Sequence, residues 1–184
     1  MYRTGFFIVL FFLYIPFLLF TAGSNEAITN ANNVYLAGDY NQALTLYEEA
    51  EIDNPESPHI YFNKGLSFFR LEDYEKAKEA FLSAATRTKD LDLEAKAYYN
   101  LGNTSFFEAG RHVETDLEKA IKLYQDAIIN FQVALERDNN IADAAHNIEI
   151  TRLIVQDLLD KLKKQQEQNK EQQEQIDEIV KKLA

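Results

Sequence analysis

"YFNKGLSFFRLEDYEKAKEAFLSAA", residues 61–85, decides the fold, because each of its halves occurs again elsewhere in the chain. Its head, aromatic-aromatic-Asn-x-Gly at Tyr61 to Gly65, returns as Tyr98-Tyr99-Asn100-Leu101-Gly102 in "YYNLGNTSFFEAGR", residues 98–111. Its tail has an earlier copy in "GDYNQALTLYEEAEIDNP", residues 38–55, where Tyr40, Ala43, Tyr47 and Ala50 stand 34 residues before Tyr74, Ala77, Phe81 and Ala84. A fixed period of this length marks a chain built of stacked units, each too small to bury its own apolar face. The small residues Gly65, Gly102, Ala43, Ala77 and Ala84 let helix axes approach, and the aromatics one turn away fill the groove between them. Glycine inside a helix costs about 1 kcal/mol relative to alanine, so its repeated placement points to close contact.

The pattern resembles the tetratricopeptide (TPR) repeat, a helix-turn-helix unit of 34 residues. The resemblance implies an all-α solenoid of about three repeats with a long C-terminal capping helix. Helices are expected over 25–37, 40–52, 58–71, 74–87 and 92–108. Ala27 and Ala31 stand where an aromatic and a glycine are usual, as suits a terminal unit, and Pro55 closes the first repeat whereas Lys89 occupies the equivalent place in the second. Asn147 takes the repeat position of Asn63 and Asn100, so the third repeat runs from Ala95 to Ile141 and is 47 residues long, thirteen too many.

Seven of the thirteen can be absorbed within "DLEKAIKLYQDAIINFQVALERDN", residues 116–139. Seven residues make nearly two helical turns and rotate an apolar stripe by only about 20°. Ala120, Tyr124, Ala127, Phe131 and Ala134 then share one face, with Leu117, Ile121 and Ile128 beside them. One helix from about 116 to 137 is expected, with Thr115 or Asp116 as its N-cap. The other six residues fit a longer turn around "GRHVET". The next apolar run, Ile141 to Leu162, is long enough to cover the extra surface through Ala145, Ile148, Val155, Leu159 and Leu162. Ile150, Leu153, Ile154 and Leu158 widen that stripe. They either pack on neighbouring helices or form a partner or self-association surface. Residues 163–175, "KKQQEQNKEQQEQ", carry no apolar side chain and read as a solvated helical extension. In "IDEIVKKLA", Ile176, Ile179, Val180 and Leu183 recur at helical spacing, so this end either frays or docks on a partner or a second copy.

The chain has 184 residues, a net charge of −11 and no cysteine. Such an acidic surface repels phosphate backbones and excludes nucleic acid as the expected partner. Residues 1–24 contain Arg3, no acid, and an apolar run from Phe6 to Phe20 followed by Ala22-Gly23-Ser24. That is the form of a secretory signal peptide, or of a membrane anchor if uncleaved, and either places the remainder outside the cytoplasm, periplasmic or anchored facing the periplasm. The expected organisation is thus 1–24 signal or anchor, 25–162 TPR domain and 163–184 Gln/Glu/Lys-rich tail. His59, His112 and His146 lie in separate elements without metal-binding spacing. No glycine-rich loop follows a strand, and no nucleophile has a base beside it. No catalytic residue, metal or cofactor is expected, and the chain is not read as an enzyme.

In TPR stacks the first helices line a concave face. The resemblance maps that face onto Tyr35, His59, Phe62, Asn63, Phe69 and Arg70, then Lys96, Tyr99, Asn100, Asn103 and Phe106. Rings for stacking and amides for hydrogen bonding would suit an extended or helical peptide. Some TPR domains clamp a partner's C-terminal carboxylate; Asn32, Asn63 and Lys96 match that pattern, while Ile28 and Asn100 stand where cations are expected. Across residues 92–175, "YYNLGN", the "LEKAIKLYQDAI" helix, "AAHNIEI" and the Gln-rich tail are similar to the TPR proteins of bacterial aerotolerance (Bat) operons. This implies an envelope scaffold working beside von Willebrand factor A-domain membrane proteins and a MoxR-type ATPase. The alternatives are a homo-oligomeric structural protein joined through 141–184, an envelope chaperone, or a regulatory subunit of an enzyme.

Overall fold

The computed structural model describes residues 26–183, and the expected signal or anchor segment, 1–24, lies outside them. Among the described residues every regular element is a helix: α1 over 26–36, α2 Tyr40–Asp53, α3 Pro58–Arg70, α4 Tyr74–Arg87, α5 Leu91–His112, α6 Leu117–Arg137 and α7 Ala142–Leu183. The chain divides into two compact units between Leu93 and Glu94. Among the described residues no helix is long and apolar enough to cross a membrane.

In the first unit, local chemistry sets each boundary. Asp39 and Asp73 cap α2 and α4 by accepting from the backbone N–H of Gln42 at 3.0 Å and Lys76 at 3.3 Å. Gly38 and Glu72 occupy equivalent places in the α1–α2 and α3–α4 turns, both at positive φ, 88° and 59°. Pro58 opens α3, where its missing N–H has no helical partner to lose. Ala31, Ala43, Tyr47, Ala50 and Ile60 form one core cluster. Phe81 is fully buried and packs directly against Gly65, where an added Cβ would sit 2.6 Å from the ring.

The second unit repeats this construction at larger size. The Gly102 backbone meets Phe131 as Gly65 meets Phe81, with an added Cβ 2.5 Å from the ring. Ala127–Phe131 is therefore the counterpart of Ala77–Phe81, and Ala120–Tyr124 belongs to the insertion. As expected, α6 is one unbroken helix, with Asp116 accepting from Lys119 N–H at 3.0 Å. Ala120, Ala127 and Ala134 are all fully buried, as are Ala43 and Ala77 in the first unit.

The expected long turn is not what absorbs the other six residues. Relative to repeat two, α5 extends five residues further past its shared Asn, the turn gains one, and α6 gains seven. Helix continues through Gly110 because it buries Ala109 completely and brings Val113 onto the cluster of Tyr124, Val155 and Leu158. That burial outweighs the roughly 1 kcal/mol cost of the glycine, and Arg111 and His112 complement the dipole of the last turn.

Helix α7 covers the enlarged hairpin, but in a different register from the one expected. Ala144, Ile148, Thr151, Val155 and Leu158 are the buried residues, while Ala145 is exposed and Leu159 is 46% exposed. The cause is Thr151. Its hydroxyl donates to the Asn147 carbonyl at 2.5 Å and so enters the seam with its hydrogen bond already made. Ser67 and Thr104, four residues after Asn63 and Asn100, do the same at 2.9 and 2.7 Å and are equally buried. Of the stripe-widening residues, Leu158 and Ile154 join the cluster under the hairpin, whereas Ile150 and Leu153 remain exposed. Every residue from 163 to 183 is exposed.

Candidate functional site

Each unit contains one cleft between first helices, and the two are built from equivalent positions. In the first unit, Asn32, Tyr35 and Leu36 of α1 face Asn63 and Leu66 of α3 across a floor of Tyr47, enclosing about 240 Å³. In the second, Asn103, Phe106 and Phe107 of α5 face Asn147 and Ile150 of α7 across a floor of Phe131, enclosing about 180 Å³. The glycine register aligns all six pairs: Asn32 with Asn103, Tyr35 with Phe106, Leu36 with Phe107, Asn63 with Asn147, Leu66 with Ile150 and Tyr47 with Phe131. Both volumes are smaller than the roughly 300–1,000 Å³ usual for small-molecule sites, and suit one or two apolar side chains.

The floor residue separates the two clefts chemically. In the first, the Asn32 side-chain oxygen accepts from the Tyr47 hydroxyl at 2.7 Å and from the Asn63 amide at 2.9 Å. Burial, with Tyr35 nearby, pushes the Tyr47 phenol up to about 12, and the amide of Asn63 offsets only part of that. On the rim, Arg70 Nε donates to the Tyr35 hydroxyl at 3.4 Å, and that bond raises the Arg70 pKa further. In the second cleft Phe131 offers no hydroxyl. Asn147 donates instead to the Tyr99 hydroxyl at 3.3 Å. The half-buried Asn103 amide engages no partner among the described residues. An open amide in an apolar cleft can hydrogen-bond a peptide backbone while its neighbours hold a side chain.

The expected concave-face residues fall into four groups. Tyr35, Asn63, Asn103 and Phe106 line the clefts. Phe62, Phe69 and Tyr99 turn their rings onto their own hairpins, against Phe81 at 5.7 Å, Tyr74 at 5.9 Å and Phe131 at 5.6 Å. The Asn100 amide donates to the Lys96 carbonyl at 2.8 Å on its own helix. His59, Arg70 and Lys96 are exposed. Leu36, Leu66, Phe107 and Ile150 were not anticipated, although the internal alignment marks them: each stands one place after the cleft aromatic or three after the cleft Asn. Among the described residues no His, Cys, Asp and Glu group could hold a metal ion.

The fold is that of a tetratricopeptide-repeat domain. Residues 29–92 match the family described as Tetratricopeptide repeat. The first TPR domain of human RPAP3 superposes with a TM-score of 0.60 at 18% identity, covering 74% of this chain and 95% of that one. The Arabidopsis OM64 TPR domain gives a TM-score of 0.58 at 22% identity, covering 71% and 95%. The first TPR of Spaghetti (RPAP3), bound to the HSP90 peptide SRMEEVD, gives 0.59 at 18% identity, covering 72% and 92%. Among curated proteins, serine/threonine-protein phosphatase 5 of Rattus norvegicus is 29% identical over 151 residues, 73% of this chain but 30% of the phosphatase. The chain thus spans under a third of that relative's length.

Proposed function

We propose that this chain is a non-enzymatic protein–protein interaction scaffold that receives a partner's peptide segment in the clefts between its first helices, above all the α5/α7 cleft. The carrying observation is the open Asn103 amide set among Phe106, Phe107 and Ile150. Binding of HSP90 and HSP70 peptides by TPR domains of the same fold supports the reading. A carboxylate clamp is disfavoured, since Ile28 and Asn100 replace its cations and Asn32 and Asn63 are bonded to each other.

The setting we assign is a bacterial envelope, exported or anchored, within a Bat-type complex of von Willebrand factor A-domain proteins. The apolar run from Phe6 to Phe20 and the order "YYNLGN", "HNIEI", Gln-rich tail support it.

The test replaces lip residues and leaves the rings of Phe106 and Phe131 in place: Asn103→Ala with Phe107→Ala, the latter 53% exposed. Membranes carrying wild-type or variant chain are crosslinked, and partners are recovered and quantified by mass spectrometry. Partners should fall at least about ten-fold, the loss expected when a central aromatic anchor is removed. Full retention of every partner by a folded variant would refute the cleft, and a leaderless chain found in the cytoplasm would refute the envelope setting.

A further inference from the structure

The turns that pack α7 onto α6 define a seam that does not stop where the hairpin ends. Ala144, Ile148, Thr151, Val155, Leu158 and Leu162 follow alternating steps of four and three residues. Continued in phase along the same helix, these steps fall on Gln165, Asn169, Gln172, Ile176, Ile179 and Leu183. These are the a and d places of one heptad phase, with Leu162, Asn169, Ile176 and Leu183 at a and Gln165, Gln172 and Ile179 at d: an amide stretch first, then an apolar one from Ile176 onward.

Charge is sorted by that same phase. From 163 to 183, all nine residues at the outward b, c and f positions are Lys, Glu or Asp. At a, d, e and g in that span, every residue except Lys182 is uncharged. A merely solvated helix has no reason to confine its charges to one side. Here the side without charge is exposed throughout, with Ile176, Ile179, Val180 and Leu183 each more than half accessible.

We propose that this segment of α7 pairs with the same segment of a second copy of the chain, as a parallel, in-register, two-stranded coiled coil. Three features select that occupant. Four of the six flanking e and g positions are Gln, with Val180 and Lys182 the others, so they carry almost no charge to repel an identical helix or to demand an oppositely charged one. Asn169 at an a position is satisfied best by its own copy in register, the arrangement that specifies parallel dimers at some cost in stability. The segment carries five Lys and five acidic residues, so it is neutral within a chain of net charge −11 and keeps the acidic domains of two copies from repelling at the contact. A lipid surface fits poorly, because an interfacial helix needs a net basic polar face and a continuous apolar one.

The chain has no cysteine, which makes the test direct. Single-cysteine versions of the full chain, Gln165→Cys, Gln172→Cys and Glu174→Cys, are expressed in cells and treated with copper-phenanthroline. Disulfide-linked dimer is read on non-reducing gels. Both d-position variants should give at least about ten-fold more dimer than the f-position control, because facing d residues bring their Cβ atoms within disulfide reach. Adding Ile176→Asp and Ile179→Asp to Gln172→Cys should abolish the band. Equal yields from all three, or a dimer surviving the two aspartates, would mean random collision and overturn the proposal. Dimer from only one d-position variant would mean an antiparallel crossing and overturn it too. No dimer from either leaves α7 unpaired and overturns it outright.

Discussion

Two glycines eight residues apart on α5 should respond to the same substitution with opposite signs. At Gly102 an added Cβ would lie 2.5 Å from both Cδ1 and Cε1 of Phe131 and 3.0 Å from its Cγ. The ring cannot retreat easily, being 1% exposed and held by Tyr99 at a centroid distance of 5.6 Å. Forcing a methyl into such a contact costs about 1–3 kcal/mol, while the gain in helix propensity returns about 1 kcal/mol. Gly102→Ala should therefore destabilise by about 1 kcal/mol, within a range of about 0–2. At Gly110 the only neighbour of an added Cβ among the described residues is the Tyr124 hydroxyl at 3.7 Å, an ordinary contact, so Gly110→Ala should keep its full gain of about 1 kcal/mol. For a chain of this size 1 kcal/mol moves the melting temperature by about 2–4 °C. Circular dichroism at 222 nm should show Gly102→Ala melting below wild type and Gly110→Ala above it by similar amounts. Phe131→Leu should then relieve Gly102→Ala, the double variant losing less than the two single losses added together. If Gly102→Ala melts with Gly110→Ala, above wild type, close packing is not the reason for that glycine.

The remaining predictions concern single side chains. Asp116→Ala should cost about 1 kcal/mol through loss of the bond to Lys119 N–H, and Asp116→Asn should recover most of it, both read from chemical denaturation. Thr151→Val should stay within about 1 kcal/mol of wild type, since only one local hydroxyl bond is lost. Thr151→Asp puts a carboxylate into the seam and should cost at least about 3 kcal/mol; a tolerated aspartate would refute the register of α7. Tyr47 is protonated in the fold up to about pH 12, against about 10 when unfolded, because burial disfavours its phenolate. Its contribution to stability is therefore complete below about pH 10 and lost as pH rises toward 12, since the unfolded chain releases that proton first. Tyr47→Phe should flatten this alkaline loss in melts taken between pH 9 and 12, and an unchanged slope would assign it elsewhere.

How much of this fold was legible depended on whether a residue's role was written in its own chemistry or in its neighbour's. The 34-residue period and the small residues under the aromatics are stated by residue type, so the helices and the single long α6 could be read directly. The register of α7 could not, because a threonine reads as polar until its hydroxyl is seen bonded to the carbonyl four residues back. Yet that bond is local, and the signal for it stood in the chain three times: Asn63 with Ser67, Asn100 with Thr104, Asn147 with Thr151. The shared spacing of Asn and hydroxyl fixes which face of each first helix turns inward. It would have placed Ala144 and Leu158 in the seam and left Ala145 and Leu159 outside. The clefts follow by the same route. Once Gly102 is paired with Phe131, and not with Tyr124, Asn103 must stand where Asn32 stands, but above a floor that lacks the Tyr47 hydroxyl. The open amide therefore comes from the regular repeat register and not from the insertion: Phe131, the counterpart of Phe81, offers no donor at this point. Helix α7 supplies both the second wall of the cleft and the seam that runs on beyond it.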